Sequence, residues 1–325
     1  MPTGYSLEEK KIAYTTDFGL MYQGFAEDFF RSDVAAGIQG TVNLIFTSPP
    51  YPLNRKKRYG NLQGEEYLRW LSDFALEFRR ALAPDGSLVL ELGNAWEPGS
   101  PTMSTLALRS LLALQEAGDF RLCQEVIAYN PARLPSPAQW VNVERIRLKD
   151  SFTRLWWLST SDRPKADNRK VLVSYSTSMR QLLKTQKYNA GPRPSEHHIG
   201  QTSFFTDNGG AIAPNVLKVA NTRARDSYLE YCRTHGLPIH PARMPSKLAE
   251  FFISFLTDPG DLVLDPFSGS NTTGASAEGL QRRWVTVEPN ESYIKGSVSR
   301  FSALSYVRPD LVCPREEQAQ EIEGK

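Results

Sequence analysis

The chain is poor in the residues that build covalent or metal scaffolds. Its 325 residues include three cysteines, Cys123, Cys232 and Cys313, far apart and without CxxC or Cys/His ligand spacing. Neither a disulfide framework nor a zinc site can be read from them. Only four histidines occur, and the pair His197-His198 has no third ligand nearby, so no metal centre is expected. No stretch approaches the roughly 18 uninterrupted apolar residues of a membrane span. Residues 1–11 contain acidic side chains and no apolar signal-peptide core, so a cytoplasmic protein is expected. Extreme charge is missing too: the formal net charge is +2, which by itself names no partner.

What is present describes a folded protein. Hydrophobic residues make up 40% and charged residues 23%, near soluble globular averages, which excludes wholesale disorder, collagen and coiled coil. The length fits one large domain or two ordinary ones. Charge is unevenly placed, with twelve Lys or Arg against six Asp or Glu in residues 161–235, leaving the remainder net negative. A second basic run, Arg55-Lys56-Lys57-Arg58, follows a Pro-Pro segment. One such run alone reads as a solvated loop. Two basic regions flanking one site favour a polyanionic partner, because they neutralise phosphates and release counterions.

Short apolar runs at 20–23, 42–47, 87–92, 262–265 and 284–288 have the length of buried parallel strands. Helical spacing appears at 65–82, where Tyr67, Leu71, Phe74 and Phe78 share a face, and again at 248–256 and 274–280. Ala83-Pro84-Asp85-Gly86 reads as a turn between helix and strand. Alternating strands and helices predict an open α/β sheet with helices on both faces. Segments 124–130 and 154–159 read as a late antiparallel pair joined by a Pro-rich loop. Residues 161–235 lose this rhythm and read as an insertion with its own task, and a polar tail from 308 to 325 is expected to fray.

Two loops at strand ends carry the chemistry. The strand 42–47 runs into Ser48-Pro49-Pro50-Tyr51, which cannot become a helix because each residue before a proline is pushed to extended geometry. Pro49 offers a carbonyl, Ser48 a hydroxyl and Tyr51 a flat ring. Two acceptors beside an aromatic face can hold a planar base by its exocyclic amino group. The plainer alternative is a strand ending in a Pro-Pro turn, but ligands in open α/β sheets bind outside the carboxyl ends of strands.

The second loop, Asp265-Pro266-Phe267-Ser268-Gly269-Ser270-Asn271-Thr272-Thr273-Gly274, lies between a strand and a helix. Its spacing is neither GxGxxG nor a P-loop, so pyrophosphate and nucleoside triphosphates are poorly supported. Glu288 ends the next strand, where an acidic residue suits ribose hydroxyls. S-adenosylmethionine, with adenosine but no phosphate, meets both conditions; a turn with a helix cap is the competing reading. After this loop the chain has room for little more than one strand, so 20–24 and a helical segment at 26–31 must complete the cofactor half. The sheet is then circularly permuted.

Ser48-Pro49-Pro50-Tyr51 followed late by Phe267-Ser268-Gly269-Ser270 resembles the amino-methylating DNA methyltransferases of restriction-modification systems, in the group where the catalytic loop precedes the cofactor loop. The resemblance is to PvuII-type cytosine-N4 methyltransferases and spans nearly the whole chain, through Tyr59-Gly60-Asn61-Leu62, Leu134-Pro135-Ser136-Pro137, Trp140-Val141-Asn142, Trp156-Trp157 and His240-Pro241-Ala242-Arg243. It implies a Rossmann-like S-adenosylmethionine-dependent fold, mostly parallel, with S-adenosylmethionine as cofactor and double-stranded DNA as partner. Ser48 in the first motif position favours cytosine N4 over adenine N6. By the same resemblance Glu91 polarises Ser48, the alternative being a strand-end carboxylate, and Pro245 helps enclose the cofactor. Where relatives often carry Gly-Asp, this chain has Gly24-Phe25, with Glu27 and Asp28 just beyond, which puts the acidic contact to the cofactor adenine in question.

The expected organisation is a catalytic and cofactor-binding domain of residues 1–160 and 236–307 around a target-recognition region at 161–235. The site comprises Ser48, Pro49, Pro50, Tyr51 and Glu91 for catalysis, and Asp265, Phe267, Ser268, Gly269, Ser270, Asn271, Thr272, Glu288 and Pro245 for cofactor. Arg55, Lys56, Lys57, Arg58, Lys165, Arg169 and Lys170, with Arg180 and Lys184, are the expected DNA contacts. A monomer is expected, with a cognate restriction endonuclease acting on the same site. Adenine-N6 methylation, methylation of protein glutamine or RNA, and DNA binding without catalysis remain the alternatives.

Overall fold

The computed structural model describes residues 11–51, 62, 64–219 and 226–312. Arg55, Lys56, Lys57, Arg58 and Cys313 lie outside the described residues. The strands are β1 (Ile12–Thr15), β2 (Gly19–Gln23), β3 (Val42–Thr47), β4 (Leu82–Leu92), β5 (Arg121–Tyr129), β6 (Phe152–Ser159), β7 (Gly191–Pro192), β8 (His198–Ile199), β9 (Val216–Lys218), β10 (Leu262–Asp265), β11 (Arg283–Glu288) and β12 (Tyr306–Val307). Ten of them form one sheet in the order β12-β1-β2-β11-β10-β3-β4-β6-β5-β9, while β7 and β8 pair separately. The helices are α1 (Ala26–Phe29), α2 (Asp33–Ala36), α3 (Gly64–Ala81), α4 (Leu106–Gly118), α5 (Thr177–Thr185), α6 (Ser227–Thr234), α7 (Ser246–Leu256), α8 (Thr272–Gly279) and α9 (Glu291–Ser297). Among the described residues no helix is long and apolar enough to cross a membrane.

The central strands are apolar throughout because both faces are covered. Side chains alternate along β3, so Ile45 joins a core with Phe29, Phe74, Phe78 and Leu114, whereas Leu44 and Phe46 join the opposite core with Phe252, Ile253 and Trp284. Helix α3 buries Tyr67, Leu71, Phe74, Ala75 and Phe78 on one stripe. Its first turn carries Glu65 and Glu66 and its last turn Arg79 and Arg80, matching the helix dipole. Truncating Phe78 to Ala would cost about 3–5 kcal/mol by loss of burial and the cavity left behind.

The permuted order expected from the loops is the one observed. Strand β2 pairs in parallel with β11, Leu20 facing Val285 and Gln23 facing Glu288. The late pair is antiparallel, with β6 inserted between β4 and β5. The carboxyl ends of the parallel strands β2, β11, β10, β3 and β4 therefore open on one side of the sheet.

One expectation is corrected by packing. Ala83-Pro84-Asp85-Gly86 is not a turn before β4 but a bulge within it: Val42 faces Leu82, and Leu44 then faces Ser87. Pro84 has no ladder N–H to give, and a Cβ on Gly86 would fall 2.9 Å from the Val42 carbonyl. Parts of residues 161–235 are tied into the main fold: Asp167 N–H donates to the Phe255 carbonyl, β9 extends the main sheet beside β5, and Tyr228 and Cys232 are fully buried. The part that stands out runs between Val173 and Ala211, which bridge each other at its base, and α5 within it buries no residue. At the start of the expected tail the described residues are held in place: β12 pairs with β1, Arg308 bonds Asp310 and Gln23, and Leu311 is buried.

Candidate active site

Thr47 ends β3 and Asp265 ends β10, side by side in the sheet. Thr47 Oγ1 donates to Asp265 Oδ1 at 2.7 Å, and Thr273 Oγ1, at the start of α8, donates to Asp265 Oδ2 at 2.6 Å. The Phe267 N–H adds a third bond to Oδ1 at 3.1 Å. One buried carboxyl thus ties both loops together. Burial pushes its pKa up to about 6, against the pull of the Thr273 and Thr47 hydroxyls and the Phe267 N–H.

Beyond Thr47 the chain leaves the strand through half-buried Ser48, buried Pro49 and half-buried Pro50 to Tyr51. Ser48 Oγ and the Tyr51 hydroxyl lie 3.1 Å apart. Glu91, near the end of β4, completes the group. Burial raises its carboxyl pKa, while the Ser48 and Tyr51 hydroxyls and then the charge of Arg133 pull it back. Burial, and next the Glu91 charge, hold the Tyr51 phenol well above its usual range, so it keeps its proton and donates. A Cβ on Gly93 would sit 2.8 Å from the Tyr51 ring; the bare backbone at Gly93 is what admits the ring. The structure therefore brings Ser48, Tyr51 and Glu91 together.

The second loop presents backbone more than side chains. Phe267 packs its ring on Trp70 and Phe74 of α3, with centroids 5.6 and 5.4 Å away. Ser268 Oγ donates to the Val287 carbonyl at 3.0 Å. Asn271, at φ +52°, caps α8 by accepting from Gly274 N–H at 3.0 Å and donates to the Tyr14 hydroxyl at 2.9 Å. Thr272 is buried beside Ser270. Gly269 has φ +54°, and a Cβ there would meet the His240 ring at 2.8 Å, so only glycine fits. Arg300 Nε donates to the Ser270 carbonyl at 2.6 Å, its guanidinium lies 4.6 Å above the Tyr228 ring, and Asp226 pairs with both Arg300 and Arg243. No spacing in the sequence points to this brace, because Arg300 and Asp226 lie about 30 and 44 positions from Ser270.

Glu288 ends β11 on the same edge. It is buried, its Oε1 accepts the Asn290 N–H at 2.9 Å, and burial pushes its pKa up to about 7. Pro245 opens α7, which packs on α8. Of the two acidic residues near Phe25, Glu27 accepts from Trp70 Nε1 at 2.7 Å. Asp28 lines an open pocket of about 520 Å³ with Gly24, Phe25 and Pro289.

Lys165, Arg169 and Lys170 are not brought to this edge. Lys165 Nζ pairs with Asp258 at 3.0 Å and Asp261 at 2.6 Å, and Lys170 pairs with Asp258. Both aspartates precede β10, at the amino-terminal end of the strand, a strand length of roughly 13 Å from Asp265. Arg169 is exposed and forks onto Asp167. Lys165 and Lys170 fasten the segment before Val173 to the start of β10, and among the described residues Arg169 pairs only within that segment.

The DNA methylase family model for N6 and N4 enzymes matches residues 42–299. The chain is 43% identical over 294 residues to the type II methyltransferase M.PvuII of Proteus hauseri, covering 90% of this chain and 86% of that protein. It is 42% identical over 275 residues to the DNA adenine methyltransferase YhdJ of Escherichia coli strain K12, covering 82% and 78%. The solved structure of the PvuII DNA methyltransferase, described as cytosine-N4-specific, matches with a TM-score of 0.72 at 37% identity, covering 90% of this chain and 89% of that one.

Proposed function

This chain belongs to the DNA methylase family that its residues 42–299 match, and on that premise we propose that it methylates N4 of cytosine in double-stranded DNA as the modifying half of a restriction-modification system. The observation that carries the reading is the Ser48, Tyr51 and Glu91 group fixed beside the Gly269 loop through Asp265.

The second loop fits S-adenosylmethionine. Its side chains turn inward, Gly269 carries no side chain against His240, and the buried Glu288 carboxyl, held by the Asn290 and Gly269 N–H groups, keeps further acceptor capacity that two ribose hydroxyls would use. Gly269, Ser270 and Glu288 would hold it, with Asp265, Phe267, Ser268, Asn271, Thr272 and Pro245 shaping the cradle. The cofactor supplies an electrophilic methyl group.

The chain's own residues prepare the nitrogen. An aromatic amine is a poor nucleophile because its lone pair is delocalised into the ring. Ser48 Oγ and the Pro49 carbonyl accept its two hydrogens, which favours a more tetrahedral nitrogen and stabilises the positive charge that develops there. Tyr51 supplies a stacking face and donates its phenol proton to the Ser48 and Glu91 side. Glu91 receives, through Ser48, the proton that the methylated nitrogen sheds. A duplex base must leave the stack to reach this group.

Substituting Ser48→Ala removes one charge-stabilising acceptor. Methyl transfer to duplex DNA is expected to fall about 10²–10³-fold with cofactor affinity unchanged, measured by labelled methyl incorporation and calorimetry. Full activity in that variant would remove Ser48 from the mechanism. The likeness to YhdJ favours adenine N6 as the second reading on the same residues. Residues between Val173 and Ala211, including Arg180 and Lys184, are assigned to target recognition, and Arg55, Lys56, Lys57 and Arg58 to the phosphates beside the catalytic loop. The protein acts as a cytoplasmic monomer, one strand at a time, alongside an endonuclease reading the same site.

A further inference from the structure

Among the described residues the two most exposed large apolar side chains, Leu148 and Leu134, share one loop. Between β5 and β6, residues 130–151 leave Leu148 89%, Leu134 80%, Val143 68% and Ile146 61% exposed. Single exposed apolar residues are ordinary, but a group of four in fifteen positions marks a surface that meets something. Because β6 runs antiparallel to both β4 and β5, this loop leaves the sheet at the edge where Glu91 pairs with Leu155. Arg133, inside the loop, acts on Glu91 by its charge.

The loop is built, not slack. Arg147 Nη1 donates to the Pro101 carbonyl at 2.6 Å, Lys149 Nζ to the Pro131 carbonyl at 2.9 Å, and Val141 N–H to the Pro137 carbonyl at 3.0 Å. Its apolar tips are therefore held outward without further ordering on contact. The loop carries Arg133, Arg145, Arg147 and Lys149 against Glu144 and Asp150, with Arg147 paired to Asp150 at 3.2 Å, so its net charge is positive. Apolar tips on a loop of net positive charge suit a base stack flanked by phosphates, where inserted Leu or Ile side chains part neighbouring bases.

We propose that the loop of residues 130–151 is the wedge that opens the duplex beside the Ser48 site, with Leu134 and Leu148 as its inserting side chains; the proposal rests on the DNA-methylating reading above. The test uses the full chain and a short duplex carrying the site mapped by sequencing methylated DNA from expressing cells. A second duplex places an abasic position opposite the target base, so that no pair has to be broken. The double variant Leu134→Ser/Leu148→Ser is expected to lose about tenfold or more in rate on the paired duplex and to stay within about twofold of the parent on the abasic one. Leu112→Ala, on α4 and 59% exposed, is expected to match the parent on both.

Equal losses on the two duplexes, or no loss on either, would overturn the wedge. So would a shift from dimer to monomer on sedimentation of the double variant, which would assign the patch to a second copy. A parent protein that methylates no DNA would sink the underlying function and the wedge with it, an outcome distinct from the others.

Discussion

Asp265 has both carboxyl oxygens committed inside the protein, to Thr47, Thr273 and the Phe267 N–H. Thr273→Val removes one of these donors and leaves a buried oxygen unsatisfied, at a cost of about 1–3 kcal/mol. The expected result is a lower denaturant midpoint together with weaker cofactor binding, since the same hydroxyl sits at the start of α8. Unchanged stability would mean the bond is dispensable. Glu288 makes a pH-dependent case. Burial raises it from 4.5 to about 7, so its neutral form favours the fold. That contribution is complete below about 4.5 and is lost as pH rises to about 7. Ligand-free protein is expected to lose melting temperature across this window, and Glu288→Gln to flatten the loss. Hydroxyl donors favour the ionised carboxylate instead, so cofactor affinity should strengthen as pH climbs through about 7, with a proton released on binding. Calorimetry in two buffers of different ionisation heat reads both, and a flat affinity would detach Glu288 from the cofactor.

Elements place these residues, and the cofactor loop is the element whose conformation is most tightly specified. Gly269→Ala forces a side chain into φ +54° and against the His240 ring. The expected outcome is at least tenfold weaker cofactor binding, with the loss of stability confined to about 1–2 kcal/mol of local strain; native affinity would show that the loop can move aside. Strands β3, β10 and β11 are legible in the sequence because fully buried parallel strands read as unbroken apolar runs bounded by turn residues. The Ser48 loop is legible for a related reason, as proline chemistry leaves few conformations open. The inward turn of Ser268, Asn271 and Thr273 is not legible, because the residue types that cap a helix are those that would bind a ligand. Helix α4 and strand β1 also escape the reading, the first behind a Gly- and Pro-rich approach, the second only four residues long.

At the scale of the whole molecule, long-range pairing decides what local patterns cannot. Lys165 and Lys170 sit in a basic segment that reads as a DNA surface, yet their partners Asp261 and Asp258 lie 96 and 88 positions away, so no spacing signals the ion pairs. The boundary of the insertion is hidden in the same way, by β9 joining a sheet edge formed far earlier. Topology is legible where counting strands forces it: a late cofactor loop with one following strand requires β2 to close the half-sheet. That closure makes a prediction. The described ends meet where β1 pairs with β12, Thr15 facing Tyr306. A permutant that links these ends and opens at the exposed Gly236 turn restores a cofactor-first order and should fold and bind cofactor like the parent. Failure to bind, by calorimetry on a cooperatively folded sample, would mean that the order of parts matters beyond the geometry it produces.

The central claim is that Ser48 and its neighbours deliver methyl groups to cytosine N4. It is tested most directly by chromatographically resolved mass spectrometry of nucleosides from DNA of cells expressing the protein, beside cells expressing Ser48→Ala. The account predicts N4-methylcytosine in the first sample and not in the second. N6-methyladenine in place of N4-methylcytosine would contradict the assignment of the target base, and equal N4-methylcytosine in both samples would contradict the role of Ser48.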